Sequence, residues 1–108
     1  MADKALKVRV VSPEATVYEG EADSITAPAW DGRVGVLAGH APMITLLGVG
    51  ALVVQAGTEV TAFHVGGGLL KVESNRVTVL TEYASEEEPP AELVAHLKLE
   101  AAGLAHWT

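Results

Sequence analysis

The feature that most limits what this chain can fold into is an alternation of period two, restarted again and again by turn residues. Leu6, Val8 and Val10 point one way while Lys7 and Arg9 point the other, the pattern of a strand with one buried face. Ser12-Pro13-Glu14 breaks it. A second short strand over residues 16–19 ends at Gly20, and a third over 22–27 runs into Trp30-Asp31-Gly32, where Asp-Gly can supply the positive φ of a tight hairpin turn. Residues 33–37 return from that turn, and Gly39 and Pro42 enclose a loop. Residues 51–55, 60–65, 69–73 and 77–82 read as four more strands, with Gly57-Thr58 and Ser74-Asn75 as turns. Short strands with turn signals at intervals near ten residues predict a mainly β fold, an antiparallel β-sandwich or flattened barrel.

A length of 108 residues fits one domain with a short appendage. Nearly half the residues are apolar but only two Trp, two Tyr and one Phe are aromatic, so the core is expected to be aliphatic sheet. The absence of cysteine removes disulfides and thiolate metal sites, and cytosol is the simplest reading. No run approaches the ~20 apolar residues that span a bilayer, and the N-terminus lacks a signal pattern, so neither insertion nor secretion is expected. Seven basic against fourteen acidic residues give a net charge of −7, which works against nucleic-acid binding, since phosphate binding draws on a basic surface, and no DNA or RNA role is expected.

Charge also divides the chain. Residues 1–83 carry a net −3 and residues 84–108 a net −4, the latter from five acidic groups and one basic. Ser85-Glu86-Glu87-Glu88-Pro89-Pro90 cannot build a core, and its prolines stiffen it. The expected organisation is therefore a β-sandwich domain over 1–84, an acidic and proline linker over 85–90, and a short helical tail over 91–108. In that tail Leu93, Leu97, Ala101 and Leu104 recur at i, i+4, i+8 and i+11, the stripe of one amphipathic C-terminal α-helix. A lone helix of about four turns is marginal in water, so it either docks its stripe or frays.

Few residues point to chemistry. Gly66-Gly67-Gly68 runs into the strand-like Leu69-Leu70-Lys71-Val72 rather than opening a helix, which favours a bulge or close backbone packing over a phosphate cradle. The histidines at 40, 64, 96 and 106 lack the spacing that puts two imidazoles on one helical face, so no metal site is expected. His64 alternates with Val60 and Ala62 and is expected to line one sheet face. His40, in a loop bounded by Gly and Pro, is either a residue whose imidazole donates to a nearby carbonyl or a partner contact. No serine carries a nucleophile-elbow signature, and catalysis and cofactors are not expected. Trp30 at a hairpin tip beside Arg33 has the composition of an interface, the competing reading being that it folds back over its own sheet. Glu86, Glu87 and Glu88 read as a solvated linker.

Four phrases in order, Val10-Val11-Ser12-Pro13-Glu14, Gly35-Val36-Leu37-Ala38-Gly39-His40-Ala41-Pro42, Gly66-Gly67-Gly68-Leu69-Leu70-Lys71-Val72 and Val77-Thr78-Val79-Leu80, resemble the epsilon subunit of F-type ATP synthases over roughly residues 6–84. The resemblance implies a non-catalytic central-stalk subunit of the rotor, peripheral on the cytoplasmic face of a bacterial membrane. It couples the c-ring to the gamma subunit, and so ion translocation to ATP synthesis. Carried over residue by residue, Ser12, His40 and Thr45 would face gamma, and Trp30, Asp31 and Arg33 would meet the c-ring. Two departures stand out. Arg33 occupies a position that is commonly acidic in the family, and a compensating acid on the partner is expected. The family's two-helix C-terminal part, which restrains ATP hydrolysis and in some members binds ATP, is represented by residues 91–108 with one stripe and no Asp-x-x-Arg-Ala-type motif. Weak or absent inhibition and no ATP binding are therefore expected. The main alternative is a free-standing β-sandwich adaptor that recognises a peptide or sugar through the Trp30 loop, and an enzyme ranks third.

Overall fold

The computed structural model describes residues 5–86, and every regular element in them is a strand. In chain order these are β1 (Leu6–Val11), β2 (Thr16–Ala22), β3 (Ser24–Ala29), β4 (Gly32–Leu37), β5 (Met43–Leu46), β6 (Val49–Ala56), β7 (Glu59–Glu73) and β8 (Arg76–Ser85). They form one sheet in the order β2-β1-β8-β7-β6-β3-β4, with β5 also pairing β7. The expected helix over 91–108 and most of the linker lie outside the described residues. β8 runs through Ser85, one residue beyond the expected end of the domain.

Two points of the expected architecture change. The sheet ends at β2 and β4 and does not close, so it is a folded-over sandwich and not a barrel. Nor is it wholly antiparallel: β1 pairs β8 in parallel, with Lys7 opposite Arg76 and Val11 opposite Leu80. Parallel neighbours need a long crossover, and here that crossover is the six strands between them, a relation no local pattern carries.

The folding-over happens at Gly66-Gly67-Gly68. Two strands were expected there, over 60–65 and 69–73, yet β7 continues through all fifteen residues. Its buried side changes on the way: Phe63 and Val65 point into the core before the glycines, Leu70 and Val72 after them. β8 changes side alongside, with Val77, Val79 and Thr81 buried and Ala84 then packed against the core. Gly67 has φ 73° and Gly68 φ 110°, conformations glycine adopts without penalty. A Cβ at Gly68 would overlap the Leu80 carbonyl oxygen. The register stays constant through the glycines, from Gly66 opposite Tyr83 to Gly68 opposite Thr81, so close backbone approach is the outcome and not an inserted residue. The Thr81 hydroxyl holds the corner by donating to the Tyr83 carbonyl oxygen at 2.8 Å, and it accepts from the Gly66 amide at 3.3 Å.

The corner makes two layers. One holds β2, β1, the N-terminal half of β8, the C-terminal half of β7, and β5; the other holds the C-terminal end of β8, the N-terminal half of β7, β6, β3 and β4. Between them lies one aliphatic core that includes Leu6, Val10, Ile25, Leu52, Val54, Leu70 and Val79. Each such side chain contributes about 1.5–3 kcal/mol relative to leaving it exposed. Phe63 and Tyr18 meet edge to face across the core, centroids 5.9 Å apart.

β5 was not expected, because four residues after Pro42 are too few to display a period and it pairs with β7 alone. The turn Ser74-Asn75 has both residues at positive φ, 50° and 62°, as the twist-matching two-residue hairpin loop requires. At Trp30-Asp31 the positive φ falls on Gly32, at 138°, the first residue of the returning strand.

Candidate docking surfaces

On the layer formed by β1, β8, β7 and β5, alternation sends one set of residues outward. Register aligns Val11 with Leu80, Leu80 with Leu69, and Leu69 with Leu46. These four aliphatic side chains form one continuous row across four strands, about 14 Å from first strand to last. Leu80 is 48% exposed, Leu69 39%, and neighbouring Ile44 66%. Contiguous exposed apolar surface of this kind marks interaction sites in soluble proteins. The sequence alone singles out none of these residues as a surface feature, and Leu69-Leu70 reads there only as part of a strand. The signal that separates them was present, since Lys71 shares a face with Leu69 and Val72 with Leu70.

The three residues expected on the gamma side fall around this row without forming one cluster. Ser12 directly follows Val11 and is itself buried, its amide and hydroxyl both donating to the Ala15 carbonyl oxygen, at 2.9 and 3.3 Å. Thr45 sits between outward Ile44 and Leu46; it is half-buried opposite core residue Leu70, so its side chain follows the inward phase. His40 lies toward the other end of β1. The preceding Gly39 amide donates to Asn75 Oδ1 at 2.7 Å, and the Asn75 carbonyl oxygen accepts from the Lys7 amide at 2.8 Å. Five residue steps along the strand direction, about 17 Å, take the chain from Lys7 to Ser12. The His40 imidazole donates from Nδ1 to the Ala41 carbonyl oxygen at 2.7 Å, the plainer of its two readings, and the residue remains partly exposed.

Trp30, Asp31 and Arg33 do sit together, at the β3–β4 tip. Trp30 is 53% exposed, while its amide donates to the Leu46 carbonyl oxygen at 3.0 Å and so anchors the tip beside the end of the apolar row. Arg33 turns back over the sheet instead of projecting from the tip. The β3–β6 register, Ser24 with Gln55 and Thr26 with Val53, would next bring Pro28 opposite Ala51. Proline has no N–H to give. Arg33 Nη2 donates to the Ala51 carbonyl oxygen at 2.7 Å in its place.

His64 faces outward with Val60 and Ala62, half-buried, as alternation predicts. Among the described residues no group of three or more His, Cys, Asp or Glu is placed to hold a metal ion, and no helix is long and apolar enough to cross a membrane.

Such a molecule is a β-sandwich whose distinctive surface features are an aliphatic row and an aromatic hairpin tip, carried on an aliphatic core. The family described as "ATP synthase, Delta/Epsilon chain, beta-sandwich domain" matches residues 5–87. An ATP synthase epsilon chain of Leptospira interrogans is 36% identical over 88 residues, covering 82% of this chain and 69% of its own length. Another from a Synechococcus strain is 38% identical over 97 residues, covering 90% and 71% respectively. The chain thus belongs to the ATP synthase delta/epsilon family, as an epsilon-type, non-catalytic subunit of the central stalk. The fold is shared with a chain of the Euglena gracilis mitochondrial ATP synthase structure containing OSCP, F1 and c-ring, with TM-score 0.74 and 24% identity, covering 97% of this chain and 68% of that one. It is also shared with a chain of the Tetrahymena thermophila mitochondrial ATP synthase central stalk and c-ring, with TM-score 0.65 and 14% identity, covering 93% and 90%.

Proposed function

We propose that this subunit couples the c-ring to gamma in an F-type rotor, and so ion translocation to ATP synthesis, on the cytoplasmic face of a bacterial membrane. One observation carries the reading: the outward aliphatic row of Val11, Leu80, Leu69 and Leu46, exposed at Leu80 and Leu69 and half-buried at its two ends, on a layer whose inner side is already committed to the core. A coupling subunit performs no bond-making. It must resist slipping under torque, which takes a well-packed apolar interface of order 1,000 Å² or more on a stiff body.

In this reading the gamma side is the outer face of the β1–β8–β7–β5 layer. Ser12 and Thr45 shape its rim by fixing the backbone beside Val11 and Leu46, and His40 supplies a polar contact. The c-ring side is the tip at Trp30 and Asp31. Arg33 there shares its guanidinium between the Ala51 carbonyl and an acid on the ring. Residues 91–108, with one leucine stripe and no nucleotide motif, are proposed to restrain hydrolysis weakly or not at all and to bind no ATP.

Pull-down of the full chain with purified gamma and with c-ring tests the assignment. Leu69→Asp and His40→Ala are expected to weaken gamma capture, the first far more than the second, and Trp30→Ala to weaken c-ring capture alone. Retention of gamma by Leu69→Asp at wild-type level would refute the gamma side. Deletion of residues 85–108 is expected to leave hydrolysis by the reconstituted complex nearly unchanged; a large activation would refute the view of the tail.

A further inference from the structure

In a chain of net charge −7, every described lysine and arginine except Arg33 lies on one face, the outer face of the layer that carries the aliphatic row. Lys71 has a partner there in Glu73, at 3.5 Å. The other three, Lys7, Arg9 and Arg76, line an open cleft of about 370 Å³ together with Glu19, Glu21 and Thr78. Lys7 stands directly opposite Arg76 in the parallel β1–β8 pair, a juxtaposition of like charges that destabilises a sheet. Lys7 also faces Glu21, and Arg9 faces Glu19, yet none of these pairs closes into an ion pair among the described residues. Three cations therefore stand in one cleft with their guanidinium and ammonium groups uncommitted to a carboxylate.

The cleft is continuous with the row. Arg9 precedes Val11 by two residues on β1 and Thr78 precedes Leu80 by two on β8, so each strand passes from cationic cleft to aliphatic row along the same face. We propose that the cleft receives an acidic side chain of the protein that docks on the row, the row supplying the hold and the cleft the register. The occupant is a carboxylate because Arg9 and Arg76 present planar forks that match one bidentately, and such a pair fixes geometry more sharply than an apolar contact. A polyphosphate or nucleic acid would bring several negative charges against Glu19 and Glu21. The inference rests on the gamma-docking reading above and adds the chemistry of the partner surface to it.

The test is binding of the full chain to purified gamma across a salt series, for the wild type, for Leu69→Asp, and for the double variant Arg9→Gln with Arg76→Gln. The double variant is expected to bind about tenfold more weakly at low salt and to lose most of the salt dependence, while its Tm stays at or above the wild-type value because the repulsion with Lys7 is relieved. Wild-type binding by Leu69→Asp would sink the docking reading itself. Loss of binding by Leu69→Asp, with affinity and salt dependence unchanged in the double variant, would keep the docking reading and overturn the carboxylate cleft.

Discussion

The two outer faces of the sandwich share one core, one alternation and similar exposure, and they differ in how their apolar residues are distributed. On the β1–β8–β7–β5 layer the outward aliphatics Val11, Leu80, Leu69 and Leu46 are register neighbours from strand to strand, and only Ile44 stands outside their row, opposite Lys71. On the opposite layer Leu37 and Val60 are more exposed than Leu80 or Leu69, at 64% and 63%, but the row that joins them reads Leu37, Ser24, Gln55, Val60. Two polar side chains divide it. Isolated exposed aliphatics are normal on any protein surface, whereas contiguous ones form a patch that water solvates poorly. Adjacency across strands, more than the amount of hydrophobic exposure, is what sets the proposed docking face apart from the other. Charge differs as well: the second face holds Arg33 as its one cation among the described residues, and that side chain is turned onto the Ala51 carbonyl.

The harshest way to break the comparison is to remove the corner that separates the faces. Gly68→Ala places a methyl group against the Leu80 carbonyl oxygen and imposes φ 110° on a residue with a Cβ. Either β7 or β8 must move, and the inward phase of one half is then lost. The expected loss is at least about 3 kcal/mol by urea denaturation, large for a single methyl group. A loss below about 1 kcal/mol would mean that the corner yields easily and that the two layers are not fixed by it.

A sharper and less destructive comparison sets Leu80→Asp against Val60→Asp. Both positions are exposed on strands, so each variant should unfold within about 0.5 kcal/mol of wild type. Binding to gamma should separate them. Leu80→Asp places a carboxylate in the middle of the aliphatic row and is expected to weaken binding by about a hundredfold or more, while Val60→Asp stays within about twofold. Equal effects on both faces would remove the distinction drawn from adjacency.

The same contrast explains what could be read from the sequence and what could not. Strand β1 was plain, because Leu6, Val8 and Val10 alternate with charged residues and the phase never changes. The Ser74-Asn75 and Gly57-Thr58 turns were plain for a similar reason, since turn chemistry is local. In β7 the phase reverses at Gly66-Gly67-Gly68, and a reversal of phase beside three glycines looks like the end of one strand and the start of another. Only β8, running unbroken alongside, shows that it is one strand. The aliphatic row was hidden because Val11, Leu80, Leu69 and Leu46 are far apart in sequence and become neighbours through one parallel and two antiparallel registers. His40 and Trp30 stood out as unusual residues in turns, and both lie at the surface. Ser12 and Thr45, carried over from the family pattern, have side chains that serve the fold first. That division is physical: identity in a loop is visible in the sequence, whereas adjacency on a sheet depends on register.

The smallest expected effect bears on the one cation of the second face. Arg33→Met keeps most of the aliphatic stem and removes the donor to Ala51, leaving that carbonyl oxygen opposite a proline that cannot replace it. Since the site is open to solvent, water takes over part of the bond, and the expected destabilisation is about 1 kcal/mol. The local consequence is more telling than the global one, because Pro28 already weakens the β3–β6 seam where Arg33 bridges it. Hydrogen exchange should quicken along residues 49–54 of β6 in the variant, with little change along β1 and β8 in the other layer. Uniform quickening in both layers would show that Arg33 stabilises the sandwich as a whole. No change anywhere would show that its guanidinium is free for the c-ring and takes no part in holding the second face.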